Sequence, residues 1–124
     1  MMWLALSNGW LSIVAHRDKP ECLLVRARNL NHIESYFPDA DIYTITDADY
    51  PYRADIHRDV VADVLTEYVY GIQYDNYKNS VNEEELHDAL IGVWQTMYRY
   101  GHTHRPNTTT LNDWMNDSSN RNDI

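Results

Sequence analysis

Arg26 and Arg28 stand two apart in Leu24-Val25-Arg26-Ala27-Arg28, a spacing that sends both guanidiniums to one face of a β-strand. Two such planar forks can converge on one anion, and their geometry suits phosphate or carboxylate. The alternative is a pair of solvated side chains with acidic neighbours. Three further segments set aromatic rings beside a cation and an amide or carboxylate: Asp49-Tyr50-Pro51-Tyr52-Arg53, Tyr74-Asp75-Asn76-Tyr77-Lys78, and Val93-Trp94-Gln95-Thr96-Met97-Tyr98-Arg99. That chemistry stacks a flat ring and grips an anion. Ten tyrosines against one phenylalanine point the same way, because a tyrosine hydroxyl needs a partner that packing alone does not require.

Each cluster also has a structural reading. Tyr52 and Arg53 face opposite sides of a strand, and Arg53 either meets a ligand or pairs with Asp49 to hold the preceding turn. Tyr77 offers a ring for stacking, Asn76 an amide for a base edge or ribose hydroxyl, and Lys78 a cation. Alternatively, Asp75 or Asn76 caps the next element while the tyrosines pack inward. Trp94 and Tyr98, at i and i+4 beside Arg99, wall a pocket, broaden a core face or form a dimer seam.

Catalytic signatures do not emerge. Cys22 lies in an apolar strand where a thiol is inert, and Ser7, Ser12 and Ser35 have no motif context. No glycine-rich phosphate loop occurs. His102 and His104 form the closest histidine pair without a third ligand near, and His16, His57 and His87 are scattered. The expectation is a binding protein, not an enzyme, with neither metal nor cofactor.

The chain has 124 residues, a size for one domain with a real core. Nineteen acids against ten Lys plus Arg leave a net charge of −9. This argues against a sequence-independent grip on DNA or RNA, which needs a basic face to displace counterions. A lone cysteine suggests a reducing compartment, and no apolar run reaches the roughly 20 residues of a membrane span. The start, Met1-Met2-Trp3-Leu4-Ala5-Leu6, lacks a basic region and does not read as a signal peptide. A cytoplasmic protein is expected.

The elements that must position these residues follow from periodicity. Asn8-Gly9 between two apolar segments predicts a hairpin with positive φ at both turn residues. A third strand carries Arg26 and Arg28. Asn29 to Phe37 reads as a short helix, Asp41–Thr46 and Tyr52–Ile56 as paired strands, and Arg58 to Tyr70 as a helix ended by Gly71. A last helix starts with a capping box at Asn82, buries Leu86, Leu90, Val93 and Met97, and ends at Gly101. The expected fold class is α+β, an antiparallel sheet of about five strands covered by two to three helices, in the order ββ-β-α-β-β-α-α. Residues 1–101 form the domain, and 102–124 a polar, flexible tail in which Leu111, Trp114 and Met115 are candidates for docking.

Taken in order, Met2-Trp3-Leu4, Leu24 through Arg28, Asp49 through Arg53, Tyr74 through Lys78 and Val93-Trp94 through Arg99 resemble a family of small proteins carried by phages, prophages and plasmids. The resemblance spans about residues 2 to 100. The layout is also similar to the phage anti-Thoeris sponge family, which binds cyclic ADP-ribose isomers made by bacterial TIR proteins and silences that defence signal. Its members bind without cleaving, as oligomers, through arginines and an aromatic. The resemblance implies that Arg26 or Arg28, Arg53 and Tyr77 contact phosphates and adenine, in a homo-oligomer within the host cytoplasm. The family's remaining contacts have no counterpart placed here, and the segment after Gly101 inherits no role. The expected function is therefore sequestration of a nucleotide-derived immune signal, a cyclic ADP-ribose isomer or cyclic oligonucleotide. The alternative is an acidic protein–protein inhibitor of a host defence effector, including one that mimics nucleic acid.

Overall fold

The computed structural model describes residues 1–106. They form two compact units, Met1–Gln73 and the stretch from Tyr74 onward. The first is an open antiparallel sheet with helices, an α+β fold. Its strands are β1 (Met2–Leu6), β2 (Gly9–Ala15), β3 (Cys22–Ala27), β4 (Tyr43–Thr44) and β5 (Tyr52–His57), in the spatial order β1-β2-β3-β5-β4. Helices α1 (Leu30–Glu34) and α2 (Arg58–Tyr70) belong to the same unit.

Alternation along the strands separates two faces. Leu11, Ile13, Val25, Ala27, Ala54 and Ile56 point to one side and pack with Ile33 of α1 and Val61 of α2 in one buried cluster. Tyr52 packs against this cluster too. The opposite face carries the intervening residues, among them Ser12, Arg26 and Arg53. A one-residue slip would exchange the two sets, so burial of one face fixes the register.

The first hairpin forms with a different turn. Leu6 pairs with Gly9, which leaves Ser7 and Asn8 as the loop, and neither loop residue nor Gly9 has positive φ. The Ser7 N–H donates to the Tyr68 hydroxyl at 3.1 Å, and the Asn8 N–H to the Tyr36 hydroxyl at 2.9 Å. Gly9 is needed for proximity rather than for φ. A Cβ there would stand 2.8 Å from the His32 Cβ, a distance real Cβ atoms do not tolerate. His32 is buried, and its Nδ1 accepts from the Trp10 N–H at 3.2 Å.

Helix α2 has its expected span, with Gly71 as C-cap, though in the αR rather than the left-handed conformation. Asn29 caps α1 by accepting from the Asn31 N–H. Strand β4 is shorter than Asp41–Thr46, at two residues.

In the second unit, Tyr77–Ser80 forms a single helical turn, α3, within the segment expected to be a loop. The last helix, α4 (Glu84–Thr103), begins one residue later than the capping box implied. Glu83 is its N-cap and makes no side-chain capping bond. The helix passes through Gly101, and its stripe is buried only at Leu86 and Leu90, while Val93 and Met97 are exposed. Leu111, Trp114 and Met115 lie outside the described residues. Among the described residues, no helix is long and apolar enough to cross a membrane.

Candidate functional site: an arginine pair on the sheet

Cross-strand pairing assembles the site. Ser12 on β2 is opposite Arg26 on β3, Arg26 is opposite Arg53 on β5, and Arg53 is opposite Tyr43 on β4. Trp3 on β1 completes the row opposite Ser12. Paired residues share a face, so the sheet carries one band: Trp3, Ser12, Arg26, Arg53, Tyr43. Its two cations are flanked by partly exposed rings, Trp3 at 57% and Tyr43 at 42%.

Directly opposed like charges destabilise a sheet. No carboxylate among the described residues forms an ion pair with Arg26 or Arg53. Arg26 donates to Ser12 Oγ at 2.7 Å, and its buried Nε has no hydrogen-bond partner among the described residues. An unsatisfied buried donor of a charged group costs at least about 1–3 kcal/mol, which an arriving acceptor recovers. Arg53 spends its Nε on the Tyr50 carbonyl at 3.1 Å.

Arg28 behaves differently. Its Nε and one terminal nitrogen donate to the two oxygens of Asp49 at 3.0 and 3.1 Å, a bidentate pair. The hydrogen bond to Asp49 raises the Arg28 pKa further above its ordinary value. The same bond holds the Asp49 carboxyl below the usual carboxylate range. Asp49 therefore serves Arg28 and not Arg53, because Arg53 is turned to the Tyr50 carbonyl. Both Arg26 and Arg28 lie over the Tyr50 ring, at 4.9 and 4.2 Å from its centroid. Tyr50 is 6% exposed, so it props the arginines and offers no free ring.

Further along the same face, Asp55 gathers the opposite charge. It accepts from Tyr43 Oη at 3.1 Å and Lys19 Nζ at 3.2 Å, and contacts His16 Nε2 at 3.1 Å. Desolvation pushes its pKa up, but the hydrogen bonds from Lys19, Tyr43 and His16 outweigh it and hold the carboxyl low. Burial and the bond to Asp55 push the Tyr43 hydroxyl up. His16 Nδ1 accepts from the backbone N–H groups of Asp18 and Lys19, so the neutral ring carries its proton on Nε2, toward Asp55. His57 Nδ1 likewise accepts from the Asp59 N–H.

The other sequence-derived residues are distributed as follows. Tyr52 faces the core, away from the arginines. In the second unit, Tyr77 is 4% exposed and sits 5.9 Å from the Tyr74 ring, so its face is not presented for stacking. Asn76 is the N-cap of α3 without a capping bond, and its buried Oδ1 has no partner among the described residues. Lys78 lies over the Trp94 ring at 4.6 Å, and Trp94 stacks on Tyr98 at 5.4 Å. Arg99 is exposed and, among the described residues, reaches only Thr96 Oγ1, at 3.5 Å. Trp3, Ser12 and Tyr43 were not singled out as ligand contacts by sequence reasoning. Their signal is strand alternation, but it becomes usable only once the register is known.

No family model, curated protein or solved structure matches this chain. Among the described residues, no group of three or more His, Cys, Asp or Glu side chains is arranged to hold a metal ion.

Proposed function

We propose that this protein binds and sequesters a phosphate-bearing, nucleotide-derived signalling molecule without cleaving it. One observation carries the reading: Arg26 and Arg53 face each other across two strands, and no carboxylate among the described residues forms an ion pair with either, Asp49 feeling the Arg26 charge only at longer range while it is held by Arg28. A phosphate or pyrophosphate seated between them relieves their repulsion and supplies the acceptor that the Arg26 Nε lacks. Trp3 or Tyr43, at the ends of the same band, receives the base by stacking. Arg28 is secondary, because Asp49 already neutralises it.

The chemistry of a cyclic ADP-ribose isomer, with a planar base, ribose hydroxyls and a pyrophosphate, suits this band. So does the resemblance to the anti-Thoeris sponge family. On that reading the protein is a phage anti-defence factor, acts in the host cytoplasm and assembles as a homo-oligomer. Retention without cleavage fits the two histidines of this unit that approach Asp55 or cap α2, since each spends Nδ1, its basic nitrogen, on a backbone N–H.

Titration calorimetry with cyclic ADP-ribose isomers and cyclic di- and trinucleotides tests the proposal. Micromolar or tighter binding, with the ligand recovered unchanged by chromatography, supports it. No binding to any of them sinks it. A second reading, inhibition of a host effector by an acidic surface, draws on the net charge of −9. Recovery of a stoichiometric protein partner from host lysate, with no nucleotide binding, would favour that reading instead.

A further inference from the structure

Strand β5 is covered unevenly on its two sides. On one side β3 pairs with it from Tyr52 to His57, whereas on the other β4 pairs only with Tyr52 and Arg53. Across that second edge the Ile45 N–H donates to the Pro51 carbonyl at 2.8 Å. By antiparallel alternation, Arg53, Asp55 and His57 also turn their backbone groups toward this edge. Extending the β4 register would set Asp41 opposite Asp55, yet no backbone hydrogen bond joins them. The Asp55 N–H and carbonyl and the His57 N–H thus form an open sheet edge.

A cavity of about 480 Å³ lies here, lined by residues 36–41 on one side and by Asp55, Ile56 and His57 on the other. Val60 and Val64 of α2 contribute an apolar wall, with Val60 48% exposed. The volume falls within the roughly 300–1,000 Å³ of ligand sites. Asp39 and Asp41 are exposed on its rim, and neither has an ion-pair partner among the described residues. Among the described residues, no Lys or Arg lines it.

We propose that this groove takes an extended segment of a partner protein, added to the edge of β5 as a further strand, with a Lys or Arg of that segment facing Asp39 and Asp41. The three elements of strand addition coincide there. Edge N–H and carbonyl groups at Asp55 and His57 are spaced by two residues, about 6.8 Å, which matches alternate residues of an extended peptide. The Val60 and Val64 wall receives an apolar side chain. The two aspartates select for a cation and disfavour an acidic segment, which gives the site its specificity. This site does not involve Arg26 or Arg53, and the proposal stands apart from nucleotide binding.

Fluorescence anisotropy of the full chain with a labelled Val-Lys-Val-Lys-Val peptide tests it. Three comparisons are made: the Val-Glu-Val-Glu-Val peptide, the Lys peptide N-methylated at alternate residues, and the Asp39→Lys/Asp41→Lys variant. Each is expected to bind at least tenfold more weakly, while Arg26→Ala leaves the Lys-peptide affinity unchanged. Both aspartates are exposed, and an unchanged circular dichroism spectrum verifies the variant's fold. Equal affinity for the N-methylated peptide overturns strand addition, and it does so without any variant having to fold. Equal affinity of the double variant overturns the role of the aspartates. Displacement of the Lys peptide by equimolar spermidine would assign the groove to small amines and overturn the proposal as well.

Discussion

Arg53 and Asp55 stand two residues apart on one face of β5, and the sheet treats their charges in opposite ways. Asp55 is met by Tyr43, Lys19 and His16, so its charge is spent on holding β4 and the β2–β3 connection against β5. Arg53 is met by another arginine and a backbone carbonyl. The same contrast separates Arg28, clasped by Asp49, from Arg26, whose Nε is buried and unpartnered. A charge neutralised inside the fold contributes to stability, while one left facing its like is costly alone and available to a ligand.

The sharpest way to break this comparison is Arg26→Ala with Arg53→Ala. The double variant should lose cyclic ADP-ribose isomer binding by at least about 100-fold, since each charged hydrogen-bonding group contributes roughly 1.5–3 kcal/mol. Its melting temperature should stay within a few degrees or rise, because a repulsive pair is removed. A large fall would make the arginines structural and refute the contrast. Asp55→Asn should do the reverse. It should cost about 1–2 kcal/mol in urea unfolding, modest because the carboxylate is partly exposed, and leave ligand affinity within about twofold.

The pH dependence sharpens the same point. The folded Asp55 pKa lies below its ordinary 3.8, so its stabilisation is fully present above that value and is lost as pH falls through the folded value. Unfolding midpoints measured from pH 6 to pH 2 should converge for wild type and Asp55→Asn at the acid end; a constant gap would mean that charge is not the cause. The smallest effect is expected from Asp49→Asn. It releases Arg28 without moving the melting temperature by more than about a degree, as an exposed pair predicts, and should tighten ligand binding by a few-fold. Unchanged or weaker binding would place Asp49 among the ligand contacts.

Much of the sheet was legible in the chain. Alternation in Leu24–Ala27 set Arg26 on the face opposite the core, and the Val61–Val64–Leu65–Tyr68 stripe marked α2, but β3 ends at Ala27, so Arg28 stands just beyond the strand and meets Arg26 only over the Tyr50 ring. The tyrosines were read less well. Tyr36 and Tyr68 use their hydroxyls to satisfy the first hairpin, Tyr43 uses its own on Asp55, and Tyr50 and Tyr77 are buried. An excess of tyrosine signals hydroxyls that need partners, but composition does not reveal whether those partners are ligand or backbone. Gly9 shows the same limit. Asn8-Gly9 announced a turn, whereas the reason for glycine is His32, 23 residues away in the chain.

By itself the sequence determined which residues alternate, where the hairpin and α2 occur, and that Arg26 points away from the core-facing Val25 and Ala27. These are short-range matters of backbone period and steric preference. Only the tertiary structure decided that Arg26 meets Arg53 while Arg28 meets Asp49, and that β4 stops short enough to leave an edge of β5 open. Both depend on the register between strands distant in sequence. That register is set by which apolar side chains reach the common core, and local spacing does not encode it.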